Sequence, residues 1–302
     1  MAILKPKKTK TGSAPSRLTV YKTYKMFING AFVRSERGRV LQMTDSKGEV
    51  VGNVPWATRK DFRNAMVAAR KAQAGWIKRS AFNRSQILYR IAEMMENRRA
   101  LLENELVQLL GLNPTEATEE VNAAIDRMFW YAGWADKFPQ VLGGINPVAS
   151  PFFNFTFPEP VGVVAILTPA ASPLLGTISA MAPVIVSGNS CILISETKAP
   201  ALLVSLAEIL ATSDVPAGVV NILTGKRDEL TKFIAEHMDL NAVFCFGGTP
   251  EEQKLLQQGA AESVKRVKLM DEPENWRNDE NQSLYWIQPF VEWKTAWHPM
   301  GT

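Results

Sequence analysis

Cys191, Cys245, His237 and His298 are all the thiols and imidazoles in a sequence of 302 residues. Nucleophilic thiol chemistry needs an electropositive, partly exposed setting that holds the thiolate. Both cysteines instead stand mid-strand among apolar neighbours. They are expected to be buried structural thiols, with neither a disulfide nor a metal cluster. Two histidines leave almost no room for a catalytic imidazole constellation. What the residue types do allow is ligand binding at strand ends. Residues 168–172, 194–198 and 224–226 each follow a short apolar run, and in parallel α/β sheets ligands sit beyond the carboxyl ends of the strands. Thr249, Pro250, Glu251 and Glu252 mark one more such end. Threonine at the N-cap and glutamate at N3 predict a capping box that consumes the helix's own free amides, and two acids in the first turn repel a phosphate.

The stretch 160–225 positions these ends and reads strand, helix, strand, helix, strand. Residues 161–167 are apolar throughout and rich in β-branched side chains, as in a strand buried on both faces. Leu174, Leu175, Ile178, Met181, Ala182 and Ile185 recur at helical spacing until Gly188 and Asn189 stop the helix. Strands are read at 191–194 and 219–224, with a helix over 201–211 between them. Upstream, Asn29-Gly30 between alternating apolar residues predicts a hairpin. Thr58 caps a helix over 60–73, and amphipathic helices are read at 79–97, 100–112 and 116–138. Arg79, Arg84, Arg90, Arg98 and Arg99 read as a solvated face. The cluster Met128, Phe129, Trp130, Tyr131 and Trp134 reads as helix packing or an oligomer contact. Two hairpin strands follow at 140–147 and 151–157. The second puts Phe152, Phe153, Phe155 and Phe157 on both faces, an edge that would accept a second chain. Beyond 225 come a helix over 227–238, strands at 242–246 and 264–269, a polar linker over 276–283 and a last strand over 285–297.

The length and a hydrophobic content of 46% suit one large or two ordinary domains. No apolar run approaches the roughly 20 residues of a membrane span, and no signal-peptide core is read at the N-terminus, so a cytoplasmic location is expected. The net charge is +4, yet Lys5, Lys7, Lys8, Lys10, Arg17, Lys22 and Lys25 fall in residues 1–25 without any acid, which leaves the remainder at about −3. With Pro6, Gly12, Ser13, Pro15 and Ser16 alongside, that tail reads as disordered. A tether to an acidic partner or nucleic acid is one use for it; a solvated extension is the expectation. No other segment interleaves aromatics with bases, so nucleic acid is not expected as a partner.

The words GVVAILTP, SPLL, GNS, AEIL and VPAGVVNILTG stand in this order within 160–225, and MFINGAFV opens the body at Met26. In order and spacing they resemble the cofactor-binding half of the NAD(P)-dependent aldehyde dehydrogenase superfamily. The resemblance implies an α/β fold: a doubly wound, mainly parallel sheet of the Rossmann-like nucleotide-binding type. A small projecting oligomerisation hairpin over 138–158 and a C-terminal oligomerisation strand would accompany it. Domains are then a basic tail at 1–25, the nucleotide-binding domain at 26–275, and a linker with the oligomerisation strand at 276–302. The resemblance places Leu167, Thr168, Pro169, Glu196, Gly225 and Gly247 along the nucleotide cleft.

By the same resemblance, the chemistry of the family is absent. Met270 stands where the base glutamate belongs, and Ala171 where the oxyanion asparagine belongs. Ile194 replaces the lysine that reaches the adenosine ribose, with Lys198 four residues on, and Gly248 replaces the serine of Gly-Ser-Thr. The domain that carries the nucleophilic cysteine is missing between 275 and 285. No catalytic residue and no metal ligand is therefore assigned, no cofactor is required, and NAD or NADP stays open as a ligand. The expected function is a catalytically silent aldehyde dehydrogenase-like subunit. It would be a structural or regulatory partner of itself or of a full-length aldehyde dehydrogenase subunit, through 138–158 and 285–297. The alternative is an NAD(P)-binding component of an aldehyde-oxidising complex in which another chain supplies the catalytic cysteine.

Overall fold

The computed structural model describes residues 20–195 and 199–301, so Glu196, Lys198 and most of the basic tail lie outside the described residues. Chain order begins with β1 (Lys22–Thr23), the hairpin β2 (Met26–Ile28) and β3 (Ala31–Val33), then β4 (Val40–Thr44) and β5 (Val50–Pro55). Helices α1 (Arg59–Trp76), α2 (Ala81–Asn97), α3 (Arg99–Glu105), α4 (Pro114–Trp134) and α5 (Phe138–Leu142) follow. Strands β6 (Gly144–Asn146) and β7 (Phe152–Pro160) lead into the central alternation. It runs β8 (Val163–Leu167), α6 (Leu175–Val186), β9 (Ser190–Ser195), α7 (Pro200–Ala211), β10 (Val220–Thr224), α8 (Arg227–Glu236), β11 (Ala242–Phe246), α9 (Pro250–Ser263) and β12 (Arg266–Met270). Three short 3-10 turns separate β12 from β13 (Val291–Pro299).

The main sheet has the order β12-β11-β8-β9-β10-β2-β3. Its first five strands are parallel, and the β2–β3 hairpin extends it antiparallel from β10. The period-2 geometry of a strand explains why the central runs are apolar without alternation. Val163, Ala165 and Leu167 join Phe62 and Met66 of α1 with Leu230 and Ile234 of α8 on one face. Val164 and Ile166 join residues of α2, α4, α6 and α7 on the other. The fold is thus doubly wound α/β.

Several local expectations need correction. Composition assigns residues 22–25 to a disordered tail, but Lys22 and Thr23 pair with Gly52 and Asn53 of β5, and backbone pairing holds them regardless of their charge. The helix read over 100–112 ends as a π-helical stretch at Leu106–Leu110, closed by Gly111 at φ +74°. Arg84 does not belong to a solvated face: it is buried, and its Nε donates to Val186 O (3.1 Å) at the free C-terminal end of α6. Part of the segment read as strand 140–147 is helix α5. The segment read as strand 285–297 begins with 3-10 turns at Leu284–Trp286 and Gln288–Phe290 and becomes strand only at Val291.

A second, three-stranded sheet has the order β13-β7-β6. The hairpin strand β7 is therefore its middle strand and not an edge. It pairs with β13 antiparallel along its whole length, from Val291 opposite Pro160 to Pro299 opposite Phe152, within one chain. Phe153, Phe155 and Phe157 form a stacked row along one face, at ring-centre distances of 5.3 and 5.8 Å. Phe152 lies edge-on to Trp297. Among the described residues no helix is long and apolar enough to cross a membrane.

Candidate functional site

The carboxyl ends of β8 and β11 are neighbours because the two strands pair directly. This adjacency brings Leu167, Thr168 and Pro169 to one crevice with Gly247. Leu167 is fully buried in the sheet. Thr168 leaves it with both its backbone N–H and its Oγ1 donating to Ile194 O, at 3.1 and 3.2 Å. Gly247, at φ +59°, donates its N–H to Met270 O (2.8 Å) and so continues the ladder to β12. Gly225 lies two strands away, at the end of β10. At φ +145°, a Cβ there would come within 2.9 Å of Ala57 N, so glycine is what lets the chain pass under residues 56–57. It lines a cavity of about 670 Å³ with Met43, Leu109 and Lys226. Glu196 lies outside the described residues. The sequence-derived set is thus one cluster at β8 and β11 with an outlier at β10.

The crevice between β8 and β11 is held by the chain's own carboxylates. Backbone N–H groups of Ala170 and Ala171 each donate to Glu272, one to Oε1 and one to Oε2, both at 2.8 Å. Paired amides aimed at one carboxylate are an anion-binding arrangement, and here the anion is internal. A Cβ added to Gly247 would lie 3.7 Å from the same Glu272 Oε1, so this carboxylate also lies close to the end of β11. On the far side of the loop, Ser172 Oγ lies 2.7 Å from each oxygen of buried Glu120, and Leu175 N donates to Glu120 Oε1 (3.0 Å).

At the start of α9 the predicted capping box is half formed. Thr249 Oγ1 accepts from Glu252 N (3.2 Å), but the Glu252 carboxylate does not return to the Thr249 amide. Its Oε1 accepts from Arg227 Nε (2.7 Å) and from Thr231 Oγ1 (2.6 Å) instead. A buried guanidinium outcompetes a solvated amide for that carboxylate, because unpaired burial of the cation is so costly. Arg227 also donates to Phe246 O (2.8 Å) and to Cys245 Sγ (2.9 Å). At Gly248, φ +92°, a Cβ would lie 2.5 Å from Glu252 Oε2 and 2.6 Å from Arg227 Nη2, so the space beside the glycine is taken. Glu251 in the same first turn is held below the usual carboxylate range by its own backbone amide and by Thr249.

Both thiols are protonated at neutral pH. Burial drives Cys191 far above the ordinary thiol value. Burial pushes Cys245 up to about 11, against the lowering effect of Arg227 beside it. Among the described residues no group of three or more His, Cys, Asp or Glu comes together as a metal site.

The segment after β12 closes over the same end of the sheet. Trp276 and Trp286 pack on Phe246, at 5.4 and 6.0 Å between ring centres, and Phe290 packs on Phe244 at 5.0 Å. Buried Arg127 of α4 fastens this strap: its Nη2 donates to Trp276 O (3.0 Å), Nε to Gln282 Oε1 (3.1 Å), and Nη1 to Ser179 Oγ (2.6 Å) and Asn281 O. Nothing in the sequence marks Glu120, Arg127 or Arg227, and it shows Glu272 only as an acid near Met270 that heads, with Asp271, an irregular, proline-broken segment. Their partners lie between 18 and 155 residues away, and no local pattern signals such pairs.

The aldehyde dehydrogenase family model matches residues 32–271, a span that stops one residue before Glu272. The chain is 32% identical to a D-glyceraldehyde dehydrogenase (NADP(+)) of Thermoplasma acidophilum over 273 residues, covering 90% of this chain and 52% of that protein. It is 30% identical over 260 residues to omega-crystallin of Enteroctopus dofleini, covering 84% of this chain and 52% of that protein. Among solved structures, the NAD+ complex of an aldehyde dehydrogenase from Bacillus cereus superposes with a TM-score of 0.78 at 28% identity, over 84% of this chain and 52% of that one. The chain spans about half the length of the curated relatives it matches.

Proposed function

Because this chain belongs to the aldehyde dehydrogenase family, we propose that it is a catalytically silent member, acting as a structural or regulatory subunit with copies of itself or with a full-length relative. The observation that carries this reading is the double hydrogen bond from Ala170 and Ala171 to Glu272. It ties up, within the chain, the loop in which Ala171 stands where the family resemblance places the oxyanion asparagine. The groups at the crevice do not fit the diphosphate of a nicotinamide dinucleotide. Glu251 and Glu272 would meet it with like charge, and the space beside Gly248 is walled by the Arg227–Glu252 pair. A hydride transfer in this crevice would therefore lack a seat for its cofactor.

The assembly part of the reading rests on the β13-β7-β6 sheet. Trp293, Trp297, Ile145 and Phe153 remain exposed there, which favours burial against another subunit.

The test combines two measurements on the purified chain. Thermal unfolding with NAD and with NADP is expected to show no shift. Ligand at 100 times its Kd would add about 2.7 kcal/mol, and a folded chain of this size would answer with a rise of several degrees. Size-exclusion chromatography is expected to show a species larger than one chain, alone or after mixing with a full-length relative. Aldehyde-dependent NAD(P)H production by the isolated chain would overturn the reading. Production only in a mixed complex, lost on mutating the partner's cysteine, would favour the alternative in which this chain holds cofactor for another's nucleophile.

A further inference from the structure

Beside the carboxyl end of β10, where Ala57 N donates to Thr224 O (2.9 Å), the loop before β4, the start of α1 and helix α8 line a cavity of about 660 Å³. Its rim carries five cations, Arg37, Arg39, Arg59, Lys60 and Arg63, drawn from two separate segments of chain. Only two carboxylates share it, and both are engaged: Glu36 with Lys60 at 2.7 Å, and Glu229 with Arg39 at 3.5 Å. Among the described residues, Arg37, Arg59 and Arg63 have no ion-pair partner. Like charges gathered in one concavity repel unless an anion joins them.

Leu230 and Phe233 of α8 line the cavity beside these charges, with the Arg59 guanidinium 5.2 Å from the Phe233 ring centre. The loop bearing Arg37 and Arg39 is fixed before any ligand arrives. Buried Asp61 accepts from Glu36 N (3.1 Å), Ser35 Oγ lies within hydrogen-bond distance of both Trp56 O (2.8 Å) and Asp61 Oδ2 (3.1 Å), and Arg39 lies 3.5 Å from the centre of the Trp56 ring. Asp61 and Thr58 form the full capping box of α1, which occupies the amides of Thr58 and Asp61, and five cationic side chains supply the charge of this cavity. Several cations beside one aromatic ring, in a cavity within the usual size range of ligand sites, suit a planar ring that carries phosphates.

From this geometry we propose that the α1–α8 cavity is a binding site for a nucleoside polyphosphate, with the phosphates on Arg37, Arg59 and Arg63 and the base against Phe233. The site is separate from the crevice at β8 and β11 and independent of what that crevice binds.

ATP and inorganic pyrophosphate serve as probes in calorimetric titrations of the whole chain. One ATP per chain is expected, with affinity falling as salt is raised. R59E/R63E is expected to lose at least tenfold for both probes, and because both positions are exposed it should keep its far-UV dichroism. F233L is expected to weaken ATP several-fold while leaving pyrophosphate unchanged. R37A offers a milder second variant, expected to lose a few-fold for both. The proposal is overturned by any of four results: no binding of either probe at millimolar concentration, undiminished binding by R59E/R63E, equal loss of ATP and pyrophosphate in F233L, or an acidic peptide such as oligoglutamate binding as tightly as ATP.

Discussion

Arg227 Nε and Glu252 Oε1 sit 2.7 Å apart with side chains only 5% and 13% exposed, which joins α8 to α9 at the point where the resemblance expects a phosphate. The pair occupies the groove itself, so the same contact that closes the site also holds two helices together.

R227M strips the Glu252 carboxylate of its buried cation. R227M is expected to lower the unfolding free energy by about 3–5 kcal/mol. R227M/E252L, which removes both charges, should recover part of that loss. Urea denaturation of the three proteins checks it, and a single variant within about 0.5 kcal/mol of the parent would show that the pair is structurally idle.

Ala170 and Ala171 owe their hydrogen-bond acceptors to Glu272. In E272A both amides are expected to exchange with deuterium about tenfold faster, the equivalent of about 1.4 kcal/mol, while β8 amides stay protected. Unchanged exchange at residues 170 and 171 would contradict the internal-anion description.

Restoring the serine that the family resemblance places at position 248 is expected to harm the protein. Gly248 adopts φ +92°, and a Cβ would lie 2.5 Å from Glu252 Oε2. G248S should lose about 1–3 kcal/mol of stability from backbone strain alone and gain no affinity for NAD. Thermal unfolding with and without NAD tests both halves.

Lys265 is buried, and its Nζ donates to Ile234 O (3.0 Å) and Ala235 O (2.6 Å) near the end of α8. Burial pulls its ammonium from the ordinary 10.5 down to about 8. Between these values the unfolded chain carries the proton and the folded chain does not. Unfolding free energy from this group therefore rises with pH from about 8 toward 10.5 and is flat below 8. Urea midpoints of the parent and of K265M across roughly pH 7 to 10 should diverge in that direction; parallel curves would rule the lysine out as the source.

The alternation of strand and helix over 160–225, the doubly apolar character of 163–167 and 242–246, and the burial of Cys191 and Cys245 were legible in the residues, because each depends on local periodicity or on immediate neighbours. The composition of the crevice was legible only in what it lacks, Met270, Ala171 and Gly248 among them. What fills it was decided by the tertiary structure. Glu272 reaches back 101 residues to Ala171, Arg227 captures Glu252 from its own helix cap, and β13 folds onto β7 inside the chain. Contacts of that separation depend on which strand ends lie side by side, and a one-dimensional pattern carries no term for that adjacency.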